Sequence, residues 1–166
     1  MARTTPDLLQ SADNAVVGEG VRQYIAFTVD TQEYAVDIMS VREIRVWSRA
    51  TPIPNSEPDV LGVVNLRGTI IPIIDIRARF NQGRTNVTNN HVVVILQVGE
   101  KLIGILVDSV SDILTAGPDE IKPLTMQERI SGERPMITRV ISKEERIVSL
   151  IEIDLLTIGR ADLAAA

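Results

Sequence analysis

The sequence repeats itself, and the repeat limits the folds that the chain can adopt. In a first alignment of the chain with itself, residues 29–44 match residues 98–113 without a gap. In a second alignment, residues 62–76 match residues 139–153. The alignments predict a duplicated chain whose halves have roughly 60 to 70 residues each, near the lower size for independent folding. We therefore expect the two halves to share one core.

The composition favours β-structure and argues against several functions. Val and Ile are abundant while aromatic residues make up only 3% of the chain, and β-branched side chains pack well in strands. The net charge of −5 argues against DNA binding, because a DNA-binding protein needs a basic face to neutralise phosphates. The absence of cysteine excludes disulfides and thiolate chemistry. No apolar run is long enough to span a bilayer.

Apolar segments bounded by turns predict strands along most of the chain. Two hairpins are expected, over residues 24–37 and residues 92–107, with turns at Asp30-Thr31-Gln32 and Gly99-Glu100. Later strands are expected at residues 137–141 and 146–153.

Three local features predict exceptions to the regular strands. Residues 41–45 have helical spacing, although so short a helix would not stand alone. Pro72 cannot donate a hydrogen bond to a ladder, so the strand of residues 69–74 should lie at a sheet edge or be bulged there. Asp154 is expected to be the N-cap of a short last helix.

The sequence contains no recognisable catalytic constellation. His91 is the only histidine, and we interpret it as an ordinary surface residue because no second histidine or cysteine completes a site. The carboxylate pairs Asp108/Asp112 and Glu152/Asp154 would need a cleft and separated pKa values to act in catalysis. A hydrolase using these carboxylates is one alternative, and a β-barrel with a closed apolar ligand cavity is another.

Three segments resemble the CheW-like coupling proteins of bacterial chemotaxis. They are residues 41–45 (VREIR), residues 62–77 (GVVNLRGTIIPIIDIR) and residues 104–112 (GILVDSVSD). The pattern N-L-R-G-x-I-x-P-x-x-D-x-R in the second segment is specific, and the similarity covers about residues 20 to 158.

The resemblance implies an all-β fold of two intertwined small SH3-like β-barrels that are related by internal duplication and accompanied by short helices. It implies a cytoplasmic, non-enzymatic adaptor without cofactor or metal. The partners would be the signalling tip of a chemoreceptor (a methyl-accepting chemotaxis protein) and the regulatory domain of the CheA histidine kinase, with no nucleic acid and no membrane insertion. We expect an adaptor domain over residues 21–158, with subdomains at roughly 21–80 and 91–153, flanked by tails at 1–20 and 159–166.

The resemblance also implies binding residues. The receptor-binding residues would be Val41, Glu43, Ile44, Gly62, Val63, Asn65, Leu66 and Arg67. The kinase-binding residues would be Lys122, Leu124 and Met126. For the apolar members of the receptor set, simple core packing is the alternative for at least half, and Gly62 could serve either a turn or a close approach.

Glu43 and Arg67 are expected to form an ion pair near the receptor-binding surface. Their counterparts in the repeat, Asp112 and Glu144, repel each other, which predicts an ion pair in the first half only. Because such asymmetry in a duplicated fold suggests specialisation, we interpret the pair as functional rather than as a solvated salt bridge worth about 0–1 kcal/mol.

The second half departs from the family pattern at two places. Arg139 stands where the family usually has glycine, and its counterpart in the repeat is Gly62. We expect its guanidinium to be exposed, because burying an unpaired charge costs several kcal/mol. The stretch of residues 123–135 is also unusual, since its Leu124 and Met126 stand where relatives can carry an exposed aromatic residue. These departures predict a changed second kinase interface.

Overall fold

The computed structural model describes residues 20–125 and 136–157, and these residues form an all-β structure. Their strands are β1 (Arg22–Val29), β2 (Gln32–Asp37), β3 (Val41–Val46), β4 (Val60–Leu66), β5 (Thr69–Asp75), β6 (Val92–Val98), β7 (Lys101–Val107), β8 (Ser109–Ala116), β9 (Ile121–Pro123), β10 (Ile137–Lys143) and β11 (Arg146–Ile151). The helical elements are α1 (Ile76–Arg79) and 3-10 turns at Ile38–Ser40, Pro118–Glu120 and Ile153–Thr157. No helix in the described ranges could cross a membrane.

The strands form two sheets with the same internal order. Sheet 1 has the order β3-β6-β7-β5-β4, and sheet 2 has the order β8-β1-β2-β11-β10-β9. The two self-alignments can be extended along the chain while each keeps its own spacing between matched residues. Each strand of sheet 1 then matches the strand at the same place in sheet 2, and β9 is the one additional strand among the described residues. We call sheet 1 with its loops the first unit and sheet 2 with its loops the second unit. The predicted duplication is confirmed.

The correspondence extends to individual residue pairs. Ile73 pairs with Gly104 across the parallel junction of β5 and β7, and their counterparts Leu150 and Ala35 pair across the parallel junction of β11 and β2. The β4·β5 and β10·β11 hairpins share a bulge at the same repeat position, as do the β3·β6 and β8·β1 pairs. Both units therefore have the same register as well as the same topology.

The two halves of the chain exchange strands. Strands β1 and β2 come from the first half but lie in sheet 2, beside β8 and β11 from the second half. Strands β6 and β7 come from the second half but lie in sheet 1. The predicted intertwining of the two units is therefore correct.

Strand β6 is buried on both faces because it separates two cores. Val94 and Leu96 pack into a core that the two units share, whereas Val93 and Ile95 pack inside the first unit. Strand β1 does the same between the shared core and the second unit. Burial on both faces explains the unbroken apolar runs in the sequence, and the predicted shared core is confirmed.

The predicted helical segment at residues 41–45 is wrong, because these residues form strand β3. Val41 pairs with Leu96 and Glu43 pairs with Ile95, so Arg42 is the extra residue of a bulge. A bulge shifts the alternation by one residue, which places Val41 and Ile44 on the same buried face. The bulge therefore produces the spacing that is typical of a helix.

Pro72 does not lie in an edge strand, since β5 is between β7 and β4. Val63 faces Pro72 but exchanges both of its backbone hydrogen bonds with Thr51 on the opposite side. The parallel pairing with β7 begins only at Ile73. The missing N–H of Pro72 therefore leaves no gap in the ladder. The last helix also differs from the expectation, because Asp154 lies within the first turn of Ile153–Thr157 instead of capping it.

Candidate protein-interaction site

A groove of about 710 Å³ opens at one end of the first unit. It lies between β3, the β4–β5 hairpin and the β6–β7 hairpin. Apolar side chains line it, and Ile70 on its border is 59% exposed. Its lining residues include Arg42, Glu43, Leu66, Arg67, Thr69, Ile70, Glu100, Lys101 and Leu102. An open groove with apolar walls and a charged border has the composition of a protein interface.

The predicted ion pair of Glu43 and Arg67 lies on the border of this groove. Arg67 Nη2 is 3.0 Å from Glu43 Oε2, which confirms the expected contact. Arg67 adopts a positive φ of 51° in the β4–β5 turn, and Asn65 Oδ1 closes this turn by accepting the Gly68 N–H at 2.8 Å. The Arg67 side chain is 75% exposed, so the pair contributes little to folding.

The remaining receptor-binding candidates divide by burial. Val41, Ile44 and Leu66 are buried, and they pack in the two cores that border the site. Val63 is half-buried, whereas Asn65 is exposed. Core packing thus describes three of the four apolar candidates, and these three support the shape of the surface from beneath.

Gly62 is a point of close approach within the chain itself. A Cβ atom at this position would lie 2.3 Å from the backbone oxygen of Thr51, and the φ of Gly62 is +146°. Both facts require glycine. The close contact holds the segment before β4 against the strand, so the role that the structure gives to Gly62 is structural.

The second unit has an ion pair of its own, which contradicts the prediction that the first half alone carries one. Arg146 Nη2 lies 2.8 Å from Asp112 Oδ1 and 2.7 Å from Glu33 Oε1. The hydrogen bonds from Arg146 lower the pKa of Asp112. Glu144 has the same left-handed turn conformation as Arg67, with a φ of 56°. Asp112 therefore pairs with an arginine two positions beyond the turn residue.

Sequence reasoning missed this network although the repeat carried a signal for it. Extension of the second alignment places Arg146 on Thr69, and extension of the first alignment places Glu33 on Leu102. Two charged residues of opposite sign, one from each half of the chain, thus replace two uncharged ones in the second unit. A search for paired charge differences between the repeats would have found them.

Arg139 is exposed, as predicted. Its side chain is 45% exposed and its Nη2 is 3.0 Å from Glu152 Oε1. Arg139 faces Pro123 of β9, whereas its counterpart Gly62 packs against the backbone of Thr51. The position can therefore carry a long side chain in the second unit only.

Two of the three kinase-binding candidates, Lys122 and Leu124, lie in or next to β9. Lys122 is exposed on that strand. Leu124 is partly buried against the shared core, and its N–H donates to the carbonyl oxygen of Thr138 at 2.9 Å. Met126 lies outside the described residues.

His91 is more than an ordinary surface residue. Its Nδ1 accepts the Thr88 N–H at 3.0 Å, its Nε2 is 3.3 Å from Asp108 Oδ1, and its side chain is largely buried. Asp108 also contacts Arg77 at 3.5 Å. These contacts give His91 a structural role at the start of β6.

Three of the four carboxylates considered for catalysis are engaged in ion pairs with arginines. Asp108, Asp112 and Glu152 contact different arginines, namely Arg77, Arg146 and Arg139. Within residues 20–125 and 136–157, no group of three or more His, Cys, Asp or Glu side chains could hold a metal ion. The large groove is open to solvent, unlike the closed cavity of a small-molecule barrel.

The sequence and fold match known proteins over most of the chain. A family model described as the CheW-like domain matches residues 23–158. The chain belongs to the CheW-like family. It is 44% identical over 135 residues to the chemotaxis protein CheW of Rhizobium meliloti (strain 1021), covering 81% of this chain and 86% of that protein. It is 43% identical to the probable chemotaxis protein CheW of Rhizobium etli, with 84% and 90% covered.

A solved CheW structure has the same fold. The scaffolding protein TtCheW from Thermoanaerobacter tengcongensis superposes with a TM-score of 0.75 at 22% identity, covering 84% of this chain and 94% of that one. The matching relatives are chemotaxis proteins, and the CheW-like family is not a family of enzymes. This chain is accordingly a non-enzymatic CheW-like protein.

Proposed function

We propose that this chain is a cytoplasmic adaptor that couples the signalling tips of chemoreceptors to the regulatory domain of the CheA histidine kinase. Membership of the CheW-like family carries the proposal, because the curated relatives are chemotaxis proteins. The groove of the first unit supports it, since apolar walls inside a charged border match the composition of a protein interface.

The receptor tip would bind at the groove border of the first unit. Glu43, Asn65 and Arg67 would contact it with their polar groups, and Val63 would add apolar contact. Val41, Ile44, Leu66 and Gly62 would act indirectly, by fixing β3 and the β4–β5 hairpin in position.

The kinase would bind the second unit around β9. Lys122 offers an exposed cation there and Leu124 a partly exposed apolar side chain, while Met126 remains a candidate from the sequence. A coupling protein must hold two partners at once. Placing the two surfaces on different units makes simultaneous binding possible.

The test measures binding of a receptor signalling-tip fragment and of the CheA regulatory domain separately, by isothermal titration calorimetry. Arg67→Glu places a second carboxylate beside Glu43, and like charges at an interface oppose association. We expect receptor binding to weaken by about tenfold or more, while stability changes by less than about 1 kcal/mol because the pair is exposed.

The matched control is Glu144→Arg, which reverses the charge at the same turn position of the second unit and should leave receptor binding unchanged. Adding Glu43→Arg to Arg67→Glu separates two roles of Arg67. Recovery of binding means that the ion pair orients the surface, whereas no recovery means that Arg67 touches the receptor. If Arg67→Glu binds both partners like the unaltered chain, the proposed receptor surface is wrong.

A further inference from the structure

The two units differ at the end where the first unit has its groove. In the second unit, Arg146 extends from the start of β11 and reaches Glu33 on β2 and Asp112 on β8. It thus joins strands on both sides of this end of the unit. The corresponding residues of the first unit are Thr69, Leu102 and Glu43, of which the first two carry no charge.

The arginines of the two units lie at different depths. The Arg146 side chain is 33% exposed, less than half the exposure of Arg67. Arg146 also binds each carboxylate with two nitrogen atoms, since Nε and Nη2 donate to Glu33 while Nη1 and Nη2 donate to Asp112. Bidentate charge-assisted hydrogen bonds are among the strongest in proteins. This network is therefore a fixed part of the second unit.

An apolar side chain could not enter the second unit here without displacing Arg146. Displacement would leave one guanidinium and two carboxylates without partners in a partly desolvated place, which is unfavourable. In the first unit the same place is bordered by Leu66 and Leu102, and insertion of an apolar side chain there would separate no ion pair.

We propose that Arg146, Glu33 and Asp112 form a plug that keeps an apolar side chain of the receptor tip out of the second unit, so that docking occurs through the first unit alone. This proposal rests on the proposed receptor-coupling function. It assigns to these three residues the restriction of receptor docking to the first unit. The groove border carries Arg42, Arg67 and Lys101 against Glu43 and Glu100. Its positive balance fits a receptor segment that places a carboxylate next to the inserted apolar side chain.

The decisive experiment transfers the plug to the first unit. Thr69→Arg with Leu102→Glu supplies the two missing charges beside Glu43. We expect binding of the receptor tip to weaken by about tenfold or more, while binding of the CheA regulatory domain, measured in parallel, stays unchanged. Kinase binding also reports that the variant is folded, and the single substitution Thr69→Arg at an exposed position is the milder second variant.

The reverse experiment removes the plug from the second unit. Arg146→Thr with Glu33→Leu gives that unit the residues of the first, and calorimetry should then show a second, weaker site for the receptor tip. Full receptor binding by the plugged variant, or a stoichiometry of one in the unplugged variant, would refute the plug. If the unaltered chain binds no receptor tip, the proposed function fails, which is a separate result.

Discussion

At one pair of equivalent buried positions, the first unit has two charged residues and the second unit has two apolar residues. In the first unit Asp59 and Arg79 form a buried ion pair, while their counterparts in the second unit are Met136 and Leu156, both 1% exposed. The backbone around them is the same, because the Asp75 N–H donates to the Asp59 carbonyl at 2.7 Å and the counterpart bond in the second unit measures 2.8 Å. The fold therefore accepts an apolar pair where the first unit has charges.

The comparison also shows what the ion pair adds. Arg79 Nη1 donates to the carbonyl oxygen of Leu156 at 3.1 Å, so the pair connects the first unit to the last turn of the second. One oxygen of Asp59, Oδ1, has no hydrogen-bond partner within the described residues. A buried ion pair often stabilises a protein no better than apolar residues of similar volume.

The largest expected effect comes from breaking this ion pair on one side. Arg79→Leu leaves the Asp59 carboxylate buried and uncompensated, and we expect a loss of about 3–5 kcal/mol in the free energy of unfolding. Chemical denaturation followed by circular dichroism measures this loss.

The double variant Asp59→Met with Arg79→Leu is the matched control. It copies the apolar pair of the second unit and should recover most of the lost stability, apart from the bond to the Leu156 carbonyl. A double variant no more stable than Arg79→Leu would show that the two units are not interchangeable at this place.

A smaller effect is expected at Gly62 and Arg139, the equivalent residues that directly follow the bulges of β4 and β10. Gly62→Ala forces a Cβ onto the Thr51 backbone at a positive φ, and we expect a loss of about 1–3 kcal/mol in unfolding free energy. Arg139→Gly should lower stability by at most about 1 kcal/mol, the usual effect of glycine in a strand. Thermal and chemical unfolding of both variants check the difference, and equal losses would contradict it.

The smallest effect concerns acid stability and the network of the second unit. Because the Arg146 hydrogen bonds lower the pKa of Asp112 in the folded state, Asp112 stabilises the protein above its unfolded pKa of about 3.9. This stabilisation is lost as the pH falls from there through the lower pKa of the folded state. Asp112→Asn should therefore lower stability at neutral pH by less than about 1 kcal/mol, because the side chain is about half exposed and solvent screens the interaction.

The difference between Asp112→Asn and the unaltered chain should then shrink as the pH falls below about 4. In an Arg146→Gln background the same substitution should show no such pH dependence, because the cause of the pKa shift is gone. A pH-dependent difference that persists in that background would assign the shift to another group.

Most of the fold was predictable because the repeat and the apolar runs carry it. The hairpin over residues 92–98 and 101–107 matches β6 and β7 at both ends, since turn residues bound these strands on both sides. The first self-alignment contained the first five residues of β8, aligned with β3 and the residue before it, although the apolar pattern of Ser109–Ala116 alone did not predict a strand. The contact between Glu43 and Arg67 was also predictable, through the family resemblance.

The rest depended on geometry that local patterns do not express. The bulge at Arg42 gave β3 the spacing of a helix. Pro72 can lie in an interior strand because Val63, which faces it, makes its backbone hydrogen bonds with another segment. The sequence does not show this choice of partner. The partner of Asp112 was hidden because Arg146 reaches it from two positions beyond the expected turn residue, and sequence spacing does not encode the reach of a side chain.

The strand exchange between the halves has an evolutionary consequence. A gene encoding one repeat alone would yield a polypeptide whose β1–β2 hairpin lacks neighbours within its own molecule. Two such polypeptides could supply the missing neighbouring strands to each other in a symmetric domain swap. Fusion of two copies of that gene would turn the swap into an intramolecular one and free each copy to diverge. The present asymmetry, with a groove in one unit and an arginine–carboxylate network at the same place in the other, is a divergence that a symmetric homodimer could not have acquired.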